Sequence, residues 1–189
     1  MPTLALARNA MNSRFEILLH GENEIALRAA AEEALEEIEK LHAQLSLYTA
    51  TSELSQINAR AAREPVRIEP RLFRLLQRAQ QIHRETGGAF DITIAPLMRA
   101  WGFVRNTGKL PDPAELAAAR NCVGMSLVQL DEREFTIRFA RPGVVLDLGA
   151  IGKGYALERA ERTLREAGIT SALLHGGTSS VCAIGRDIH

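Results

Sequence analysis

Between residues 146 and 156 an apolar run enters three glycines and a lysine and then opens into a helical pattern: Asp147, Gly149, Gly152, Lys153 and Gly154 lie within eight positions. These residue types suit a diphosphate. Glycines let backbone N–H groups come close to phosphate oxygens, and a helix start adds unpaired donors and a partial positive charge. Lys153 adds a compact cation, and Asp147 can accept a hydrogen bond or join a metal shell. The same spacing also fits a plain tight turn that joins a strand to a helix with a surface lysine. Two familiar phosphate loops are excluded. Gly152-Lys153 is followed by Gly154 rather than Ser or Thr, and the glycines run G-x-x-G-x-G, so neither the P-loop nor the dinucleotide fingerprint is met.

Three other segments hold residues with chemical scope. Residues 87–103 are mostly apolar with one acid, Asp91, and the chain's single Trp, Trp101. They can hold a flat ring system beside an acceptor, although Phe90, Trp101 and Phe103 read first as core packing. Residues 48–58 carry Tyr48, Ser52, Glu53, Ser55 and Asn58, whose side chains point to turn and cap chemistry. Residues 176–180 read as a strand-to-strand turn.

The elements that must position these segments follow from periodicity. Phe15, Ile17 and Leu19 alternate as one buried face of a strand ended by Gly21. Leu27, Ala31, Ala34, Leu35, Ile38, Leu41 and Leu45 recur at three- and four-residue steps and predict a helix over 22–47, with Glu32, Glu33, Glu36, Glu37 and Lys40 on its wet side. A second helix is expected over 70–86, stopped by Gly87-Gly88, and Asp112-Pro113 begins a short third one. Residues 126–130 and 135–139 form a hairpin around 131–134. A strand is expected at 144–148, a helix at 154–167, and strands at 171–174 and 181–184. The mixture, without strict β-α-β alternation, is α+β, with a mixed sheet and flanking helices. Residues 104–111 are the one loose stretch.

Composition narrows the function classes. Lys plus Arg and Asp plus Glu number 23 each, a formal charge of zero, which argues against a general nucleic-acid binder. Cys122 and Cys182 lie in no metal-binding spacing and read as small buried hydrophobes. No apolar run reaches the length of a membrane span, and residues 1–11 lack the pattern of an export signal.

In order and spacing, these segments resemble the FAD:protein FMN transferases. Met11 resembles the family's early Met. Tyr48 with Ser52-Glu53-Leu54-Ser55 and Asn58 resembles its Tyr…Ser-Glu-Leu-Ser…Asn stretch. Gly88-Ala89-Phe90-Asp91, Pro96-Leu97 and Trp101-Gly102-Phe103 resemble its Gly-Ala-Phe-Asp…Pro-Leu…Trp-Gly-Phe stretch, and residues 146–156 resemble its Asp- and Lys-bearing glycine loop, with Ala150 and Gly152 for the usual small partners. The resemblance implies the flavin-transferase (ApbE-like, T-fold-related) architecture over residues 1–189. It implies cleavage of FAD, with Mg²⁺, and transfer of FMN to a Ser or Thr of a target flavoprotein, releasing AMP. It carries FAD contacts over to Met11, Tyr48, Ala89, Phe90, Asp91, Asp147 and Lys153, and a Mg²⁺-binding carbonyl to Ala150. It also implies a C-terminal metal-binding part beyond these residues, whose motifs Asp187 and His189 do not match. A non-catalytic FAD-binding module, or an unrelated small-ligand domain with a similar turn, stays open at this point. The resemblance places such proteins outside the cytoplasmic membrane, whereas the sequence itself leaves the compartment unassigned.

Overall fold

The computed structural model describes residues 2–105 and 108–185, so residues 106 and 107 of the loose stretch, and Asp187 and His189, lie outside the described residues. The chain divides into two compact units, one made of residues 1–45 and 151–189, the other of 46–150.

The first unit is a four-stranded sheet with two helices. β1 (Thr3–Ala10), β2 (Ser13–His20), β6 (Ala172–Gly176) and β7 (Ser180–Ile184) stand in the order β1-β2-β6-β7, every pair antiparallel. Phe15, Ile17 and Leu19 of β2 are wholly buried, as their alternation predicts, together with Leu174 of β6. Helices α1 (Glu24–Leu45) and α6 (Gly152–Glu166) pack against each other and on this sheet. Buried alanines on both, Ala31 and Ala34 on α1 and Ala156 and Ala160 on α6, suit a close approach. Arg159 donates from Nε and Nη2 to Glu37 Oε1 at 3.2 and 3.1 Å and ties the two helices. All seven residues assigned to the inner face of α1 are buried. The opposite face of the sheet leaves Leu173 and Val181 exposed.

The second unit holds a three-stranded sheet, β3 (Val66–Arg67), β5 (Thr136–Phe139) and β4 (Val128–Asp131), again antiparallel throughout. The α+β class holds, and the mixed sheet expected from the sequence becomes two antiparallel ones. α2 (Glu53–Arg60) starts where Ser52 Oγ accepts from the Ser55 N–H at 3.0 Å, so the hydroxyl-rich stretch is indeed a helix cap. α3 (Pro70–Glu85) has Pro70 in its first turn and Glu69 accepting from the N–H groups of Arg71 and Leu72. It carries Phe73, which meets Phe135 edge-to-face at 5.4 Å. α4 (Ala95–Ala100) and α5 (Pro113–Arg120) follow, the latter capped by Asp112 as expected.

The opening segment, to which periodicity assigns no element, is a strand, β1. Several expectations are corrected. Residues 144–148 form no strand; their hydrogen bonds go elsewhere, as shown below. α6 begins at Gly152, two residues earlier than predicted, which puts Lys153 inside its first turn. Cys122 and Cys182 are free and only half-buried. Trp101 is 37% and Phe103 57% exposed, so neither is a core residue, and Phe90 is half-buried.

Candidate functional site

In the first unit, Met11 and Asn12 form the two-residue turn between β1 and β2, with φ of 50° and 54°. This left-handed pair matches the right-handed twist of a hairpin, but it strains residues that carry a Cβ. His42, on α1, holds the turn: the Met11 N–H donates to Nδ1 at 3.2 Å. A ring nitrogen that accepts is bare, so in the neutral ring the proton sits on Nε2. A surface hollow of about 400 Å³ opens here, lined by the turn, its flanks and His42.

The Met11 side chain reaches the start of α6. Its Sδ lies 4.0 Å from where a Cβ on Gly152 would stand. The side chain at the N-cap of α6, Ile151, makes no capping hydrogen bond. Among the described residues none caps the first-turn N–H groups at 152–154, which face solvent or a ligand, and space around Gly154 is open. The third feature of this unit is the turn after β6. A Cβ on Gly177, at φ 68°, would sit 3.1 Å from Ser13 Oγ, and one on Gly176 would sit 2.6 Å from the Phe15 ring. Only glycine fits, so the turn at 176–177 is explained by packing against β2.

In the second unit, three of the segments singled out from the sequence are tied together by hydrogen bonds. Asn58, on α2, pairs with Leu146 as a strand would: its Nδ2 donates to the Leu146 carbonyl at 3.0 Å, and its Oδ1 accepts from the Leu146 N–H at 2.8 Å. The next residue, Asp147, donates its N–H to the Ile92 carbonyl at 2.7 Å. One side chain and one carbonyl replace the neighbouring strand that 144–148 lacks. Asp147 Oδ1 then accepts from the Gly149 N–H at 2.8 Å and closes the turn that leads to Ala150. Both Asp147 and the exposed Ala150 belong to this unit.

The segment around Asp91 is fixed as firmly. Asp91 Oδ1 accepts from both the N–H and the Oγ1 of Thr93, at 2.7 and 2.5 Å, and the wholly buried Thr93 Oγ1 accepts from the Gly124 N–H at 2.7 Å. Gly87 and Gly88 take φ of 59° and 89°, so the chain can leave α3 and double back. Ala89 is exposed, and Tyr48 is 70% exposed. A tyrosine ring so open to solvent gains little from the protein core, which is what a stacking platform for a flat ligand requires.

Met11 and Lys153 therefore stand at one helix start in the first unit, while Tyr48, Ala89, Phe90, Asp91, Asp147 and Ala150 lie in the second. Nothing in the residue pattern marks Asn58 as a backbone clamp, Thr93 as the anchor of Asp91, or His42 as the holder of Met11. Asn58 and His42 act across 88 and 31 residues, and Thr93 is itself held by Gly124 from 31 residues away, so only the side-chain chemistry of an amide, a hydroxyl or an imidazole marks such residues beforehand.

Comparison with known proteins bears on the family and the fold. The model of the ApbE family matches residues 11–189. An FAD:protein FMN transferase of Klebsiella pneumoniae (strain 342) is 32% identical over 149 residues, covering 79% of this chain and 47% of that protein. One from Haemophilus influenzae is 29% identical over 172 residues, covering 86% of this chain and 49% of its own length. This chain thus spans about half the length of these curated relatives. The crystal structure of the ApbE protein from Thermotoga maritima superposes with a TM-score of 0.88 at 27% identity, over 98% of this chain and 60% of that one. A family model that takes in all but the first ten residues, a shared fold and the motifs in register lead to one conclusion: the chain belongs to the ApbE family.

Proposed function

We propose that this chain binds FAD and is the FAD-binding part of an FAD:protein FMN transferase. In that reaction a Ser or Thr hydroxyl of a target flavoprotein attacks the FMN phosphorus, the bond to the bridging oxygen breaks, and AMP leaves with that oxygen. The observation that carries the reading is the start of α6, where an uncapped helix N-terminus, Lys153 and the Met11 side chain over Gly152 come together. Such a start favours a diphosphate through its N–H groups, its dipole and one cation. Met11, Tyr48, Ala89, Phe90, Asp91, Asp147 and Lys153 are the proposed FAD contacts. The names of the relatives support the reaction class.

Mg²⁺ is the weaker fit. Among the described residues no three His, Cys, Asp or Glu side chains gather to hold a metal ion. Asp147 already uses Oδ1 on Gly149, and the Ala150 carbonyl alone is far from the roughly six oxygens that magnesium takes. The residues described do not make up its shell. Among them, too, no helix is long and apolar enough to cross a membrane.

The test is a titration of the chain with FAD, followed by flavin fluorescence. A charge-assisted hydrogen bond to the diphosphate contributes about 1.5–3 kcal/mol, so Lys153→Ala should weaken FAD by roughly tenfold or more. Equal affinity in folded Lys153→Ala protein overturns the diphosphate assignment. Transfer itself is read as AMP release from FAD in the presence of an acceptor flavoprotein.

A further inference from the structure

We propose that His83 is a positioning residue for flavin binding: it clamps the turn at 87–91 at both ends and so sets where Phe90 and Asp91 point. The proposal rests on the FAD-binding reading above. His83 stands in the last turn of α3, and its side chain is 25% exposed. Its carbonyl accepts from the Gly88 N–H at 2.8 Å, and its Nδ1 lies 2.8 Å from the Phe90 carbonyl oxygen. A carbonyl has no proton to give, so Nδ1 carries the hydrogen and donates it. The backbone of His83 thus holds residue 88, and its ring holds residue 90.

Two further observations make the clamp specific to this ring. Gly88, at φ 89°, lies against it: a Cβ there would stand 3.6 Å from Cε1 and 3.9 Å from Nε2. The same Nδ1 is 3.5 Å from Asp91 Oδ2, the carboxylate oxygen that Thr93 does not take. Asp91 is therefore fixed from two sides. Gly124 orients Thr93, Thr93 holds Oδ1, and the His83 ring lies beside Oδ2. The residue touches the turn and its acid, and acts on a flavin nucleotide only through them.

A residue that merely supports α3 would lose stability when changed and leave ligand affinity alone. A positioning residue does the reverse, and it depends on the donor at the Nδ1 position. The side-chain nitrogen of Asn falls close to where Nδ1 stands, whereas that of Gln falls closer to Nε2. FAD affinity, by fluorescence titration, and the urea midpoint are measured for the unchanged protein, His83→Leu, His83→Asn and His83→Gln. His83→Leu should bind FAD about tenfold more weakly, the loss of roughly one hydrogen bond to the turn, while His83→Asn stays within about threefold of the unchanged protein. His83→Gln should fall with Leu. An unchanged FAD affinity in His83→Leu overturns the proposal while the FAD reading stands. Failure of the unchanged protein to bind FAD overturns both. If His83→Leu does not fold, the Asn and Gln variants decide: tighter binding by Asn supports the clamp, and equal affinities overturn it.

Discussion

Asn58 offers the sharpest test of how the second unit holds Asp147. Leu146 is wholly buried, and both its N–H and its carbonyl are met only by the Asn58 amide among the hydrogen bonds seen. In Asn58→Ala both groups lose their partner in a place that water reaches poorly. An unsatisfied buried polar group costs about 1–3 kcal/mol, so two of them, with some relaxation, should cost about 2–4 kcal/mol. Against a typical total of about 5–15 kcal/mol this is a large fraction. With a urea m-value of about 2 kcal/mol/M, the midpoint should fall by roughly 1–2 M. Asn58→Asp gives a second reading of the same mechanism. It keeps an acceptor for the Leu146 N–H but sets a carboxylate against the Leu146 carbonyl. It should be destabilised at pH 7 and recover in part in acid, where a carboxyl O–H can donate in place of Nδ2. A change below about 0.5 kcal/mol in Asn58→Ala, the range of ordinary surface substitutions, would refute the clamp.

Gly176→Ala would place a Cβ 2.6 Å from the ring of Phe15, which is wholly buried; a loss of about 1–3 kcal/mol is expected, read as a lower Tm in calorimetry. Burial, helped by the neighbouring Glu161 carboxylate, pushes the Cys182 thiol up to about 11. Iodoacetamide should therefore alkylate it at pH 8 roughly tenfold more slowly than an ordinary cysteine, as mass spectrometry can follow, since the thiolate is the nucleophile. Because the folded pKa lies above the unfolded value near 8.5, this thiol's contribution to stability is present below that pH and lost as pH rises through about 11, which urea midpoints between pH 8 and 11 would show.

What was legible in the sequence was what repeats locally. α1 and α3 announce themselves because apolar residues recur every three or four positions along one face, and Asp112-Pro113 marks a helix start by its own chemistry. β1 was missed because it is an edge strand: its inward residues Leu4 and Ala10 are separated by half-buried positions and Arg8, so no clean alternation shows. Residues 144–148 carry the composition of a strand, and the sequence cannot reveal that their partner is the side chain of Asn58 on a helix. The same holds at the candidate site. The glycine loop and the Ala89-Phe90-Asp91 segment stand out by residue type, whereas His42, which holds the backbone of the Met11 turn, and His83, which meets the Phe90 carbonyl, look like ordinary helix residues until the fold brings Met11 and Phe90 to them.

The division of the chain also sets an order of assembly. The unit of residues 46–150 is continuous in sequence, and its sheet joins strands on either side of α3, α4 and α5 without calling on anything outside that range. The other unit is split: β2 pairs with β6 from Phe15↔Gly176 to Leu19↔Ala172, so its central ladder closes only after more than 150 residues have been made. Joining ends that far apart carries an entropy cost that grows with the loop, and contacts of such separation form late. On the ribosome, the inner unit can condense while α1 and the β1–β2 hairpin still wait for their partners. Once it has done so, the long loop is already compact, and the arrival of α6, β6 and β7 completes the remaining sheet in one step.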